Sequence, residues 1–442
     1  MQYKSYTVKN FRKIPQLERL NEEVKRDIEI VARVLPFKVN NFVLDHLINW
    51  DSVPNDPIFV LTFPQKEMLL PEHYQEIAEL VQRGADEQAI NKAANRIRLS
   101  LNPHPAGQLE YNVPHFRGEY LTGVQHKYRQ TALYFPRQGQ TCHAYCTFCF
   151  RWPQFVGMSK LHFAAREVDM LIEYLRENPQ ITDLLLTGGD PMVMSANRLA
   201  EIIDPVLKAK LPYLRRIRIG TKSLAYWPFR FLTDKDSGDL LRLLERVTDS
   251  GMHLAVMAHF VHPNEFASEH VRRALHKVHD TGAEIRTQSP VLRNINDDSE
   301  AWKRLWDIQV DHGCVPYYMF IARNTGAGHY FNIPLVRAWE IFREAYQKTS
   351  GLCRTVRGPV MSTNPGKIQI LGVTEIQGQK VYQLRFLQGR NPDWVHRPFF
   401  AEFDPSATWI NHLKPAFGEE QFFFESELEQ TLQAAESDDG PF

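Results

Sequence analysis

From about His126 to Ile321 the chain repeats one pattern, in which a short apolar run suited to a buried strand is followed by a longer stretch with helical periodicity. The strand-like runs cover residues 132–135, 183–186, 216–219, 252–258, 283–287 and 317–321. Helical stretches such as 164–177 and 195–207 lie between them. Repeated strand–helix units imply a parallel sheet with crossover helices, open or closed into a barrel. Six such units are fewer than the eight of a full barrel. The expected class is therefore α/β, with a partial six-unit (β/α) barrel over residues 111–350.

The flanks read differently. Residues 1–110 look helical and polar: 17–35 carries apolar residues at helical spacings, and 71–97 reads as two helices around a Gly84-Ala85-Asp86 turn. Pro103 and Pro105 then break the chain. Residues 351–442 form a C-terminal extension, in which 367–371 and 380–386 flank a turn and predict a hairpin. Residues 436–442, polar and acidic with Gly440-Pro441, are expected to be a frayed tail. No internal repeat or low-complexity block is visible.

With 442 residues, the chain suits one large α/β barrel with added segments, or two to three domains. Lys+Arg and Asp+Glu both number 52, so the net charge is zero and nothing favours nucleic acid or a polybasic membrane patch. The N-terminal residues contain no secretory apolar core, and no apolar run approaches the 18 or so residues of a membrane span. A cytoplasmic location is expected. Three of the five cysteines fall within eight positions, which reads as metal chemistry in a reducing compartment rather than a disulfide framework.

These three stand in Thr141-Cys-His-Ala-Tyr-Cys-Thr-Phe-Cys-Phe-Arg-Trp152. Thiolates at this spacing suit a short loop around one face of a cube-like [4Fe–4S] cluster. Such clusters usually take four cysteines, so Cys142, Cys146 and Cys149 would leave one iron open to a ligand. A closed zinc site is the alternative, with His143, Cys314 or Cys353 as the fourth ligand. Further on, Leu184-Leu-Leu-Thr-Gly-Gly-Asp-Pro191 follows a predicted strand. Its glycines allow close approach of backbone to a ligand, and Asp190 adds an acceptor.

The cysteine segment resembles the radical S-adenosylmethionine (SAM) superfamily. That resemblance implies that the open iron chelates the amino and carboxylate groups of SAM, which reduction splits into methionine and a 5′-deoxyadenosyl radical. Phe148 matches an aromatic beside the SAM adenine, and Gly188, Gly189 and Asp190 match the motif at its amino group. From about Gly123 to Phe386 the chain is similar, more narrowly, to the lysine 2,3-aminomutase family, including the branch that makes β-lysine for elongation factor P. The matching motifs are His126-Lys-Tyr128, Cys149-Phe-Arg151, Thr187-Gly-Gly-Asp-Pro191, Arg218-Ile-Gly220, His259-Phe-Val-His-Pro-Asn-Glu265, Gln288-Ser289, Leu292-Arg-Asn-Ile-Asn-Asp297 and Pro316-Tyr-Tyr318.

This closer resemblance implies a partial six-unit barrel, pyridoxal 5′-phosphate (PLP) beside SAM, and migration of an amino group from C2 to C3 of an amino acid. Lys367 takes the place of the PLP lysine, although the family's glycine-rich run before it is shortened to Pro365-Gly366. Lys127 and Tyr128 match the phosphate site. Thr131 stands where the family has an arginine, and Arg129 is a substitute. Arg151 matches the clamp on the substrate α-carboxylate, and His259 and Gln288 match the SAM site. Two aspartates that hold the distant ammonium of lysine are absent: Arg323 replaces one, and Ser362-Thr363-Asn364 the other. A buried arginine repels an alkylammonium, so an acidic amino acid is expected, with Arg323 and Asn364 at its far end. The partners implied are a small amino acid, a low-potential donor such as flavodoxin or ferredoxin, and no nucleic acid or membrane; a homo-oligomer is allowed. A radical SAM enzyme that has lost PLP, and a non-catalytic metal protein, remain as alternatives.

Overall fold

The structure, a computed structural model, describes residues 1–109, 111–158, 161–165 and 168–436. The expected tail lies outside them, apart from Glu436 at the end of the last helix. Two short ribbons come first: β1 (Ser5–Thr7) pairs with β2 (Lys38–Asn40), and β3 (His115–Phe116) with β4 (Glu119–Tyr120). All later strands join one sheet. These are β5 (Val124–Tyr128), β6 (Thr131–Tyr134), β7 (Asp183–Leu186), β8 (Arg216–Thr221), β9 (His253–His259), β10 (Glu284–Val291), β11 (Cys314–Ile321), β12 (Arg357–Ser362), β13 (Gly366–Ile376), β14 (Gln379–Gly389) and β15 (Pro398–Glu402).

They lie in chain order across the sheet, so each new strand adds at the same growing edge. Strands β6 through β12 are parallel, while β5 at one edge and β13–β15 at the other are antiparallel. Crossover helices Asp169–Glu177, Ala196–Lys208, Ser237–Asp249, Glu269–His279, Ser299–Asp311 and Leu335–Gln347 connect the parallel strands. Helix Ala196–Lys208 shows why such segments are helical. Ser195 caps it by accepting from the Arg198 N–H, and Leu199, Ile202, Ile203 and Val206 fall on one buried face.

Strand periodicity creates the site. In β8, Ile217, Ile219 and Thr221 are buried, while the alternating Arg218 and Gly220 face a cavity of about 270 Å³. That cavity is lined from every strand between β5 and β14. Ten flat strands at ~4.8 Å spacing would span roughly 43 Å, so these strands curve around it.

The structure departs from the sequence reading in places. Helix 164–177 begins only at Asp169, because Ala165 donates to Phe135 O (2.7 Å) and bridges Pro136. Strand β12 was hidden by Gly358-Pro359, and β5 by its polar residues. The hairpin is longer than expected, and its turn residues Gln377 and Gly378 both have positive φ, as a two-residue type I′ turn requires. The N-terminal region also holds the cysteine loop. Tyr145 N donates to Lys38 O (2.8 Å), Thr147 N to Leu61 O (3.0 Å), and Lys38 Nζ to Cys142 O (2.8 Å).

Asn40 is the knot of this junction. Fully buried, it caps helix Asn41–His46 through Val43 N (3.0 Å), and its amide donates to Tyr226 O (2.9 Å) and His143 O (3.2 Å). Asn40→Ala removes a cap and strands two carbonyls, which should cost roughly 2–4 kcal/mol. Chemical denaturation measures it; a loss below about 1 kcal/mol would mean the junction relaxes around the change.

Candidate active site

The cysteine loop leaves the carboxyl end of β6, the end at which open α/β sheets place their ligands. Its three thiols are held protonated by burial, Cys146 up to about 12; neighbouring cysteines raise Cys142 and Cys146 further, while Arg151 opposes the rise at Cys149. Among the described residues no group of three or more His, Cys, Asp or Glu side chains is arranged to hold a single metal ion. The alternative zinc ligands are placed elsewhere. Cys314 begins β11, at the opposite end of the parallel strands, and Cys353 bonds Asp307 (3.3 Å) in the segment entering β12. His143 is held neutral by burial, down to about 3, and its Nδ1 is bonded to Ser223 Oγ (2.9 Å).

The loop after β7 is stapled to the cysteine loop. A Cβ on Gly189 would stand 2.5 Å from Thr141 backbone atoms, and Asp190 N donates to Thr141 O (2.7 Å). The Asp190 side chain is a correction to the sequence reading. Its carboxylate already accepts from Thr221 Oγ1 (2.7 Å), Ser223 Oγ (2.8 Å), Lys222 N (2.9 Å) and Met192 N (2.9 Å). It anchors neighbouring loops and is not aimed into the cavity.

Phe148, His259 and Gln288 do line the cavity. Phe148 stacks on the His259 ring (centroids 5.8 Å apart), and Gln288 pairs with His259 in the β9–β10 register. His259 is held neutral by burial, and its Nδ1 has no hydrogen-bond partner among the described residues.

Lys367 opens β13 and points into the same cavity, donating to Gln388 Oε1. Its ammonium lies over the rings of Tyr128 (4.8 Å) and Tyr318 (5.3 Å). Burial, then Arg218, Arg323 and Arg357, depress its pKa to about 7. Lys127 is depressed for the same first reason, and its ammonium donates to Thr363 O. The buried Tyr128 hydroxyl has no partner among the described residues.

Two other expected site residues lie off the cavity. Arg129 is exposed at the β5–β6 turn and does not line the cavity, because the hairpin turns its side chain to solvent. Asn364 is bound by Arg390, which donates to its Oδ1 (2.8 Å) and its carbonyl (3.0 Å), and it does not line the cavity. Sequence reasoning quoted Arg218 and Phe150 within motifs but gave them no role, and it missed Gln388; all three line the cavity. Arg218 was detectable, because in Arg216-Ile-Arg-Ile-Gly220 the isoleucines face the helices and Arg218 must face inward.

Two guanidiniums lie over the Phe150 ring, Arg151 at 4.9 Å and Arg323 at 4.4 Å from its centroid. Arg323 donates to Ser362 Oγ (3.0 Å), while its Nη1 has no partner among the described residues. Burial lowers both arginines to about 10, which leaves them cationic at neutral pH. The cavity wall thus carries Lys127, Arg151, Arg218, Arg323 and Lys367, and among the described residues no Asp or Glu.

No family model matches the chain. A protein of Aquifex aeolicus named "Putative L-lysine 2,3-aminomutase" is 33% identical over 398 residues, covering 89% of this chain and 92% of its own. The L-lysine 2,3-aminomutase of Clostridium subterminale is 28% identical over 264 residues, 60% of each chain. Among solved structures, Streptococcus suis SuiB covers 75% of this chain and 65% of its own at 12% identity, with a TM-score of 0.36, too low to argue a shared fold. An aminomutase of the radical SAM class is what the sequence likeness and the α/β site define. The chain belongs to the lysine 2,3-aminomutase family, whose cofactors are a [4Fe–4S] cluster, SAM and PLP.

Cys142→Ala, Cys146→Ala and Cys149→Ala should each abolish iron loading and SAM cleavage, whereas Cys314→Ala and Cys353→Ala should retain both. Iron and sulfide analysis after anaerobic reconstitution reads this directly, and loss of iron in Cys314→Ala would reject the three-cysteine site.

Proposed function

We propose that this chain is a PLP-dependent 2,3-aminomutase that converts an acidic L-α-amino acid, not lysine, into its β-amino isomer. The observation carrying this reading is the charge on the cavity wall: five of its lining side chains are Lys or Arg and none of the described ones is Asp or Glu, with Asp183 behind the wall already paired to Arg218 (3.2 Å). The relatives named for lysine imply the reaction type; the charge argues for a different side chain.

Cluster and SAM together supply a carbon-centred radical, and PLP supplies conjugation to the migrating nitrogen. The chain's residues position these groups. Cys142, Cys146 and Cys149 would hold the cluster, and the Gly188–Gly189 backbone, Phe148, His259 and Gln288 would flank SAM. Lys127 and Tyr128 would take the PLP phosphate, leaving Lys367 to hold the cofactor by its amine. Arg151 would fix the substrate α-carboxylate through its planar fork, and Arg323 a second carboxylate on the far side of Phe150. We read the curved sheet as a six-unit partial (β/α) barrel, with residues 1–110 as the segment bracing the cysteine loop and 351–442 as the extension carrying Lys367. One electron would come from a low-potential protein such as a flavodoxin or ferredoxin.

Borohydride treatment of PLP-loaded protein should fix the cofactor to the peptide containing Lys367. Labelling should rise with pH around 7, where this amine loses its proton. Between about 7 and the ordinary 10.5, the folded lysine binds fewer protons than the unfolded one, so this group makes apoprotein stability rise with pH across that window. Labelling at a different lysine would reject the assignment.

An anaerobic panel of amino acids with SAM, PLP and a reductant should give β-amino product from glutamate or aspartate in preference to lysine. A desolvated charge-assisted hydrogen bond contributes about 1.5–3 kcal/mol, so Arg323→Gln should lower kcat/KM on the acidic substrate by roughly one to two decades. Faster turnover of lysine than of both acidic amino acids would overturn the proposal, as would an Arg323→Gln enzyme with unchanged kcat/KM.

A further inference from the structure

Tyr226 ends a short helix, Ser223–Tyr226, that follows β8, and the reaction as described so far does not use it. It is 1% exposed. Its backbone is fixed at both ends, by its own N–H to Lys222 O (2.9 Å) and by the Asn40 amide on its carbonyl (2.9 Å). Its hydroxyl lies 3.7 Å from Cys146 Sγ, within hydrogen-bond reach for sulfur. Among the described residues it is the side-chain hydroxyl found on the three thiols, and while Cys146 carries its proton the S–H donates to it. The ring cannot easily move, because Lys222 Nζ sits over it at 4.3 Å. Lys222 is in turn held by Glu265 Oε1 (2.5 Å) and by His259 O (3.1 Å).

We propose that Tyr226 is a positioning residue that raises the reduction potential of the cluster by donating a hydrogen bond to Cys146, and that Lys222 and Glu265 lock its ring in place. Once Cys146 binds iron its sulfur is a thiolate and can only accept, so the O–H must donate. A buried phenol with no other acceptor among the described residues favours the same orientation. Reduction places one more negative charge on the cluster, shared with the cysteine sulfurs. A donor to one sulfur therefore stabilises the reduced form more than the oxidised form. The electron comes from a low-potential one-electron donor protein; no bond in the chain forms or breaks, and no proton is transferred. The device makes the cluster easier to reduce at a given donor potential. It rests on the three-cysteine cluster and not on the choice of substrate.

The test uses the full chain, reconstituted anaerobically, as wild type and as Tyr226→Phe, with Tyr145→Phe as the comparison. The Tyr145 hydroxyl bonds Thr141 Oγ1 (3.0 Å) and no cysteine. Iron and sulfide content should be equal in all three, and an EPR-monitored redox titration without SAM then reads the potential. Tyr226→Phe should lower the reduced-to-oxidised ratio at fixed potential about fivefold, which for a one-electron couple is a negative shift of about 40 mV. Tyr145→Phe should leave the potential in place. Replacing Tyr226 by 3-fluorotyrosine, nearly the same in shape but a stronger donor, should move the potential the opposite way and decides the matter if Tyr226→Phe loads poorly. An unchanged potential in Tyr226→Phe, an equal shift in Tyr145→Phe, or no positive shift with the fluorinated residue would overturn the proposal. Failure of the wild type to load a cluster would instead overturn the cysteine site itself.

Discussion

The floor of the cavity is held together by one buried carboxylate. Asp190 is 1% exposed, and burial raises its pKa, while the hydrogen bonds from Thr221, Lys222, Met192 and Ser223 oppose that rise. A lone buried carboxylate would cost several kcal/mol, and only a full set of donors offsets it. The donors come from the loop after β8 and from the turn of Asp190 itself. The backbone of Asp190 meanwhile donates to Gly139 (3.0 Å) and Thr141 (2.7 Å) in the cysteine loop. Three loops from three stretches of chain are thereby fixed to one another. The placement of the cysteines, of the glycine backbone and of Lys222 beneath Tyr226 depends on that junction. An acidic residue after two glycines is thus a structural hub here, which its position in a ligand-like motif did not reveal.

Much of the architecture was legible because the strands obey a local rule. Buried parallel strands must be apolar runs, and crossover helices must carry an apolar stripe, so both leave marks within a few residues of sequence. The run 183–186 reappears unchanged as β7, and the others differ only at their ends. Residues outside the rule were not legible. Strand β12 contains Gly358-Pro359, which propensity assigns to a loop, and it is a strand because β11 on one side and β13 on the other complete its hydrogen bonds. The N-terminal region looked merely helical; that its backbone carries the cysteine loop is a pairing of residues about a hundred positions apart, and no local pattern encodes it.

The site divides in the same way. Phe148 and Lys367 line the cavity and the three cysteines lie together in the loop after β6, residues that short motifs singled out because a motif is itself a local geometry. Arg129 was offered as a substitute two residues from Thr131, and Asn364 as standing in place of a family aspartate, and both side chains lie off the cavity. A hairpin turn sends Arg129 outward, and Arg390, from beyond the far strand of the hairpin, captures Asn364. Gln388 reaches Lys367 across the β13–β14 pair, a register that no reading of either strand alone provides.

The cationic wall has a cost for the empty fold and a use for the filled one. Lys127, Lys367 and three arginines share a space of about 270 Å³, and the lysines respond by giving up protons at lower pH than free lysine. Asp183, behind the wall, pairs with Arg218 (3.2 Å), while Arg151 and Arg323 rest over the Phe150 ring, whose electrons soften the repulsion between them. Entry of anions reverses the sign of that cost, so ligand binding and folding are coupled in one direction, with the protein stabilised as the cavity fills. The cations are also separable. Arg151 follows the cysteine loop, Lys367 opens β13, and Arg323 follows β11, each fixed by a different part of one rigid sheet. A change of charge at the loop after β11 therefore alters the far end of the pocket without moving the cysteine loop or Lys367. An architecture of this kind can change the charge at one end of its pocket through a single side chain, and no described lining residue is an acid that would cancel the change.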